Sequence, residues 1–177
     1  IIEFGAIEDD LKNPKPLDKL HKYHCYISKS SYVGEPYALS MHPAIFIKIA
    51  TKKDYPNDKF LAPEELGHDF WSWLQTIGYA PAGNGIIHIN VAGKNFASFD
   101  KNFLNELPMF SAYINIRHRI IDPSILFFEL GKDESLPNTE KCKERAGMKP
   151  EVAHTALDDA MDVIKLLRYK ILGEKVE

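Results

Sequence analysis

Apolar positions follow two rhythms along this chain. Short runs with a period near two read as strands: "IIEFGAI" (1–7), closed by acidic residues, and "KYHCYIS" (22–28), where aromatic and polar residues alternate. The second reads as the partner of the first. "GIIHINVAG" (85–93) is the strongest strand signal, and "RIID" (119–122) reads as the end of another. Helical spacing marks "APEELGHDFWSWLQTIGY" (62–79), where a proline and two glutamates open the run and Leu66, Phe70, Trp73, Leu74 and Ile77 share a face. Trp73 falls on the core side of that helix and Trp71 toward the surface. "PSILFFEL" reads as a helix start and "NTEKCKERAGM" (138–148) as a short helix. "HTALDDAMDVIKLLRYKIL" (154–172) reads as a long closing helix. Its apolar stripe is Ala156, Ala160, Val163, Ile164, Leu167 and Ile171.

Between these segments the chain is polar or broken. "DLKNPKPLDK" and "TKKDYPNDKF" read as loops. "YVGEPYALSMHPA" (32–44) reads as irregular because Gly34, Pro36 and Pro43 interrupt it, and "IFIKIA" (45–50) fits strand or helix equally. No repeat, low-complexity tract or domain boundary is visible. Interleaved strands and helices in one 177-residue chain predict a single layered α/β domain.

Composition narrows the function classes. With 45% hydrophobic residues the chain can build a proper core. No apolar run is long enough to cross a membrane, and the first ten residues lack the basic start and small-residue cleavage site of a signal peptide. Cys25 and Cys142 match no metal-knuckle or redox spacing, so two reduced thiols in a cytoplasmic protein are expected. The formal net charge of −3 argues against long duplex DNA as the main partner; a nucleic-acid site would have to be a local patch.

Three residues suggest chemistry. Asp100, in "AGKNFASFDKNFL", follows a strand and a glycine turn and stands between Phe99 and Phe103. Its plain reading is a helix-start carboxylate capping backbone N–H groups. In the closing helix Asp158 falls opposite the apolar stripe, solvated and near Lys165. Asp159 falls at the stripe's edge, where it can enter a cleft. His154 lies about one turn ahead, and its plain reading is a histidine bonded to backbone. Taken together, two semi-buried aspartates and a histidine fit a hard divalent cation with a general base beside it.

The spacing also resembles a known family. "NFASFDKNFL" resembles the second motif of the DEDDh 3′→5′ exonucleases, and "HTALDDA" resembles their third, His-x-Ala-x-x-Asp, on His154, Ala156 and Asp159. "IIEFGAI" resembles the second strand of the same fold, "HRIIDP" the strand-to-helix turn between the two motifs and "ERAGM" the run-up to the third, so the likeness spans nearly the whole chain. The resemblance implies a ribonuclease H-like three-layer fold with a mixed five-stranded sheet. It implies two Mg²⁺ or Mn²⁺ ions held by four acidic residues, Asp100 and Asp159 among them, with His154 orienting the attacking water. It also implies release of nucleoside 5′-monophosphates from 3′ ends of single-stranded RNA or DNA. Asn95, Phe96, Phe99, Met41 and His42 are the candidates for holding the terminal nucleotide by stacking and backbone contact. Met41 is equally well read as core filling.

The family's first motif, Asp-x-Glu, does not occur in this chain. Glu3 lies in the segment resembling the following strand, and Glu8, Asp9 and Asp10 lie at its wrong end. The expectation is an N-terminally incomplete exonuclease domain whose first strand precedes Ile1. The alternative is an inactive exonuclease-fold module that binds nucleic acid or protein. A structural α/β domain with chance motif matches is the third reading. The sequence leaves open RNA against DNA and whether the protein forms a homodimer.

Overall fold

A computed structural model describes residues 1–150 and 155–175. β1 (Glu3–Glu8) pairs antiparallel with β2 (His21–Ile27) from Glu3 opposite Tyr26 to Glu8 opposite His21. The segment read as irregular holds two short helices, α1 (Pro36–Ser40) and α2 (Pro43–Ala50). The two prolines taken as breakers are instead helix starters, because the first helical residue has no N–H to satisfy and proline's φ already suits it. "IFIKIA" is thereby helical. β3 (Phe60–Leu61) runs parallel to β2, and α3 (Leu66–Thr76) follows.

β4 (Ile87–Ile89) is shorter than its apolar run suggested. After it come α4 (Asp100–Asn105), α5 (Phe110–Tyr113) and β5 (Ile114–Ile116), which pairs parallel with β4. The strand expected to end at "RIID" ends earlier, at Ile116; beyond it only Ile121 returns, as a single bridge to Ala92. α6 (Ser124–Phe127) is a single turn, α7 spans Thr139–Arg145 and α8 spans Ala156–Leu172. The α/β class is therefore seen, with the strands divided between a three-stranded mixed sheet, β1-β2-β3, and a two-stranded parallel one, β4-β5. Among the described residues β1 pairs on one edge only, as does β4. No helix among them is long and apolar enough to cross a membrane.

One core joins the two sheets. Tyr23, Cys25 and Ile27 of β2 meet Ile87 and Ile89 of β4, Ile114 and Ile116 of β5, and Leu66, Phe70 and Leu74 of α3. The period-two pattern in β4 and β5 explains this: the isoleucines face inward, and His88 and Asn115 between them face out. Trp73 packs on Phe70 and Tyr23, as its spacing predicts; Trp71 donates from its indole N–H to the Gly85 carbonyl. A smaller cluster of Phe127, Cys142, Ala146 and Leu166 ties α6 and α7 to α8. Both cysteines are free and buried. Burial is the larger cause in each and pushes both thiols up, Cys25 to about 12.

α8 is seated on β1 by a close approach. A Cβ built on Gly5 would lie 2.8 Å from the Ala156 carbonyl carbon and 2.9 Å from the Leu157 nitrogen. Only glycine lets strand and helix backbones come so near. Two residues earlier, Glu3 Oε2 accepts the Ala156 N–H at 3.0 Å, while Oε1 lies 2.7 Å from His24 Nε2. Thr155 completes the start of the helix, its Oγ1 accepting the Asp158 N–H. Farther along, Arg168 is buried and paired with Asp9 just beyond β1. The Gly5→Ala variant is expected to lose about 1–3 kcal/mol, the usual cost of forcing atoms into a filled space. Urea denaturation beside wild type measures it, and an unchanged midpoint would show that strand and helix can part without cost.

Candidate active site at the carboxyl end of the parallel strands

The loop that carries Asp100 begins where β4 ends. Gly93 opens it, and a Cβ there would fall 2.8 Å from the Phe96 Cβ, so glycine is needed for Phe96 to turn in toward the core. Asn95 follows in the left-handed region at φ 55°, a conformation asparagine tolerates better than most side chains. Its N–H donates to Asp122 Oδ2 at 2.9 Å. The other Asp122 oxygen accepts from the Ser124 N–H and hydroxyl. Partial burial is the largest single influence on Asp122 and would raise its pKa. The bonds from Ser124 and Asn95, with Lys94 nearby, together outweigh it and hold the carboxyl below its ordinary value. Asp122 thus staples the Asp100 loop to the chain after β5.

Asp100 itself is the first residue of α4 and does not cap it: no side-chain cap bond forms at that helix start. It is exposed rather than semi-buried. Surrounding protein still strips enough water from the carboxyl to hold it above its ordinary value, against a weaker opposing bond from its own N–H. Among the described residues it has no ion pair. Phe99 is 60% exposed and packs edge-on against Phe103, leaving an aromatic surface beside the carboxylate. Phe96 serves as an anchor toward the core.

Asp159 lies in the first turn of α8, also exposed rather than semi-buried. The helical wheel was right in spacing: Ile164 and Leu167 are buried and Asp158 is solvated. It placed Ile171 in the stripe, but that residue is exposed because the core ends before the last turn. His154 lies outside the described residues. Met41 is exposed, so it fills no core, and His42 is half-buried at the start of α2. Neither shares a hydrogen bond, ion pair or ring contact with Asp100 among the described residues. The described residues hold no group of three or more His, Cys, Asp or Glu that could bind a metal. The donor type nonetheless suits Mg²⁺ or Mn²⁺. Such ions use one or two carboxylates together with water and substrate phosphate oxygens.

A feature absent from the sequence reading lies next to this loop. β5 and β4 are in register at Ile116 opposite Ile89, and they meet again at Ile121 opposite Ala92. Four residues on one strand, 117–120, thus face two on the other, 90 and 91, and the longer side bulges. The bulge carries Arg117, His118 and Arg119, all exposed. Neither arginine is ion-paired among the described residues. Bonds from Gly93 N–H to the Ile121 carbonyl and from Arg117 N–H to the Ile89 carbonyl fix the bulge against the Asp100 loop. The signal was present as "RHR", but reading "RIID" as regular strand concealed it.

Neither a family model, a curated protein nor a solved structure matches this chain.

Replacing Asp122 by asparagine is expected to cost about 1–3 kcal/mol by weakening three accepted bonds. Because the folded carboxyl is held low, its contribution is present above its unfolded pKa, about 4, and fades as pH falls through the lower folded value. Denaturation at pH 6 and pH 3 should therefore show a wild-type advantage at the first and little at the second. An equal advantage at both would mean the charge is not what holds the loop.

Proposed function

We propose that this protein is a metal-dependent 3′→5′ exonuclease acting on single-stranded RNA or DNA. The observation that carries the proposal is the joining of an unpaired, partly desolvated carboxylate, Asp100, to an exposed basic bulge, Arg117–His118–Arg119, through the Asp122 staple. A chain of net charge −3 gains nothing for solubility from three basic side chains bunched together; they suit a phosphate backbone. The exposed ring of Phe99 suits base stacking. Both features sit where open α/β sheets commonly bind ligands, at the carboxyl end of parallel strands.

In this reading Asp100 and Asp159 hold Mg²⁺ or Mn²⁺, and the metal supplies charge stabilisation at the phosphate and activation of water. Arg117 and Arg119 hold the backbone, Phe99 supports a base, and Asp122 keeps loop and bulge in one frame. The reading calls for further acidic oxygens. The inactive binding module is the second reading. What favours it is that no group of three potential metal-binding side chains forms among the described residues.

The test is digestion of 5′-labelled RNA and DNA oligomers by the natural full-length protein with Mg²⁺, Mn²⁺ or chelator. A ladder shortening from the 3′ end is expected, abolished by chelator. Asp100→Asn and Asp159→Asn should each lower the rate by roughly a hundredfold or more, the scale of removing a charge-stabilising group. They should leave the fold intact, since both residues are exposed. Arg117→Ala and Arg119→Ala should raise KM, each flattening the log–log salt dependence of binding by about 0.7. Oligomer binding that persists without cleavage, with the same arginine effects, would establish the binding module.

A further inference from the structure

A second recess lies on the outward face of the parallel pair. It is a cleft of about 360 Å³, within the size range of small-molecule sites. β4 and the turn before it give it Asn84, Ile86 and His88; α4 gives Lys101 and Asn105; α5 gives Ser111. Ile86 is its half-exposed apolar side chain, Phe110, Ile114 and Ile116 border it while almost wholly buried, and Asn115 lies across from His88.

Its chemistry is one-sided. No carboxylate lines it. Lys101 is half-buried and pairs with no acid among the described residues. The Asn115 amide lies 2.8 Å from His88 Nδ1, a bond that orients both polar groups at one wall. With the amide nitrogen donating, the imidazole proton sits on Nε2, leaving an N–H donor for a ligand. Parallel strands are normally covered on both faces, yet here His88 and Asn115 stand exposed while the isoleucines around them are buried. A cation, an oriented imidazole, three amides and a hydroxyl beside the aliphatic side chain of Ile86 are complementary to one ligand chemistry. That chemistry is an anionic head on a body both apolar and capable of hydrogen bonding.

We infer that this cleft binds a small organic anion, a phosphate or carboxylate head held by Lys101 with its body against Ile86 and among Asn84, Asn105 and Asn115. The site borders the Asp100 loop, Lys101 following Asp100 in the chain, and does not need a metal.

Isothermal titration of the full chain in chelator tests it, with adenosine 5′-monophosphate, adenosine, inorganic phosphate and benzoate as probes. Saturable binding of the monophosphate is expected, with adenosine and inorganic phosphate each at least roughly tenfold weaker, the scale of losing one charge-assisted bond or the body contacts. Benzoate binding as tightly as the monophosphate would assign the head to a carboxylate and support the same site. Lys101→Ala and, as a surface change that adds repulsion without removing packing, Asn105→Asp should each weaken binding about tenfold or more. Asp159→Ala should not weaken it. Lack of saturable binding by both organic anions, equal binding of inorganic phosphate, or indifference to both cleft variants would each overturn the inference. Loss with Asp159→Ala alone would place the ligand at the nuclease centre and overturn it too. Chelator silences metal-dependent cleavage, so failure here leaves the nuclease reading untouched, and the reverse also holds.

Discussion

The contact between Gly5 and the first turn of α8 sets where Asp159 stands. It brings a strand backbone and a helix start to within van der Waals reach, and nothing larger than hydrogen at Gly5 permits it. Glu3 then serves a purpose that a carboxylate in a strand seldom has: it satisfies a helix-start N–H from outside the helix. The register of β1 against β2 places His24 where it can meet the other oxygen of the same carboxylate. The position of Asp159 therefore depends on three residues of the β1–β2 pair.

The loop that carries Asp100 is organised by Asp122. Its two oxygens reach forward to Ser124 and back to Asn95, joining chain segments that are separated by α4, α5 and β5. The loop with Asp100 and the bulge with its arginines thus share one anchor. The opposing directions of the two carboxyls fit this division. Asp122 is stabilised as an anion by several bonds made within the protein, whereas Asp100 has only a weaker bond from its own N–H to set against its desolvation. A carboxylate kept at a cost to stability is what a site for an external cation would look like.

The elements with strong periodicity were legible from residues alone. The β1–β2 pairing, α3 and α8 follow from the apolar run of β1 and the alternation in β2, from Leu66, Phe70 and Leu74, and from the stripe of the last helix. What escaped was decided by tertiary context. Pro36 and Pro43 break a strand but start a helix, and composition does not say which. "GIIHINVAG" looks like one long strand, yet only Ile87–Ile89 is laddered, because the opposite strand bulges. The short turn of α5 leading into β5 carried no local signal distinct from loop. In the site, Asp100 and Asp159 were visible by type and spacing. Their exposure was not, since it depends on which surfaces the helices cover. The roles of Asp122, Glu3 and Gly5 were hidden, for each acts on a residue far away in sequence.

The bulge after β5 has a consequence for how this surface can change. Ile116 and Ile121 keep their partners on either side of it, so the residues between them are released from the ladder's alternation. Substitutions at 117–119 need not alter what the core receives. Charge, length and hydrogen-bonding character there can drift independently of the fold, as the teeth of a key vary while its shaft stays the same. Change at the protein's surface would be expected to accumulate first in that short stretch.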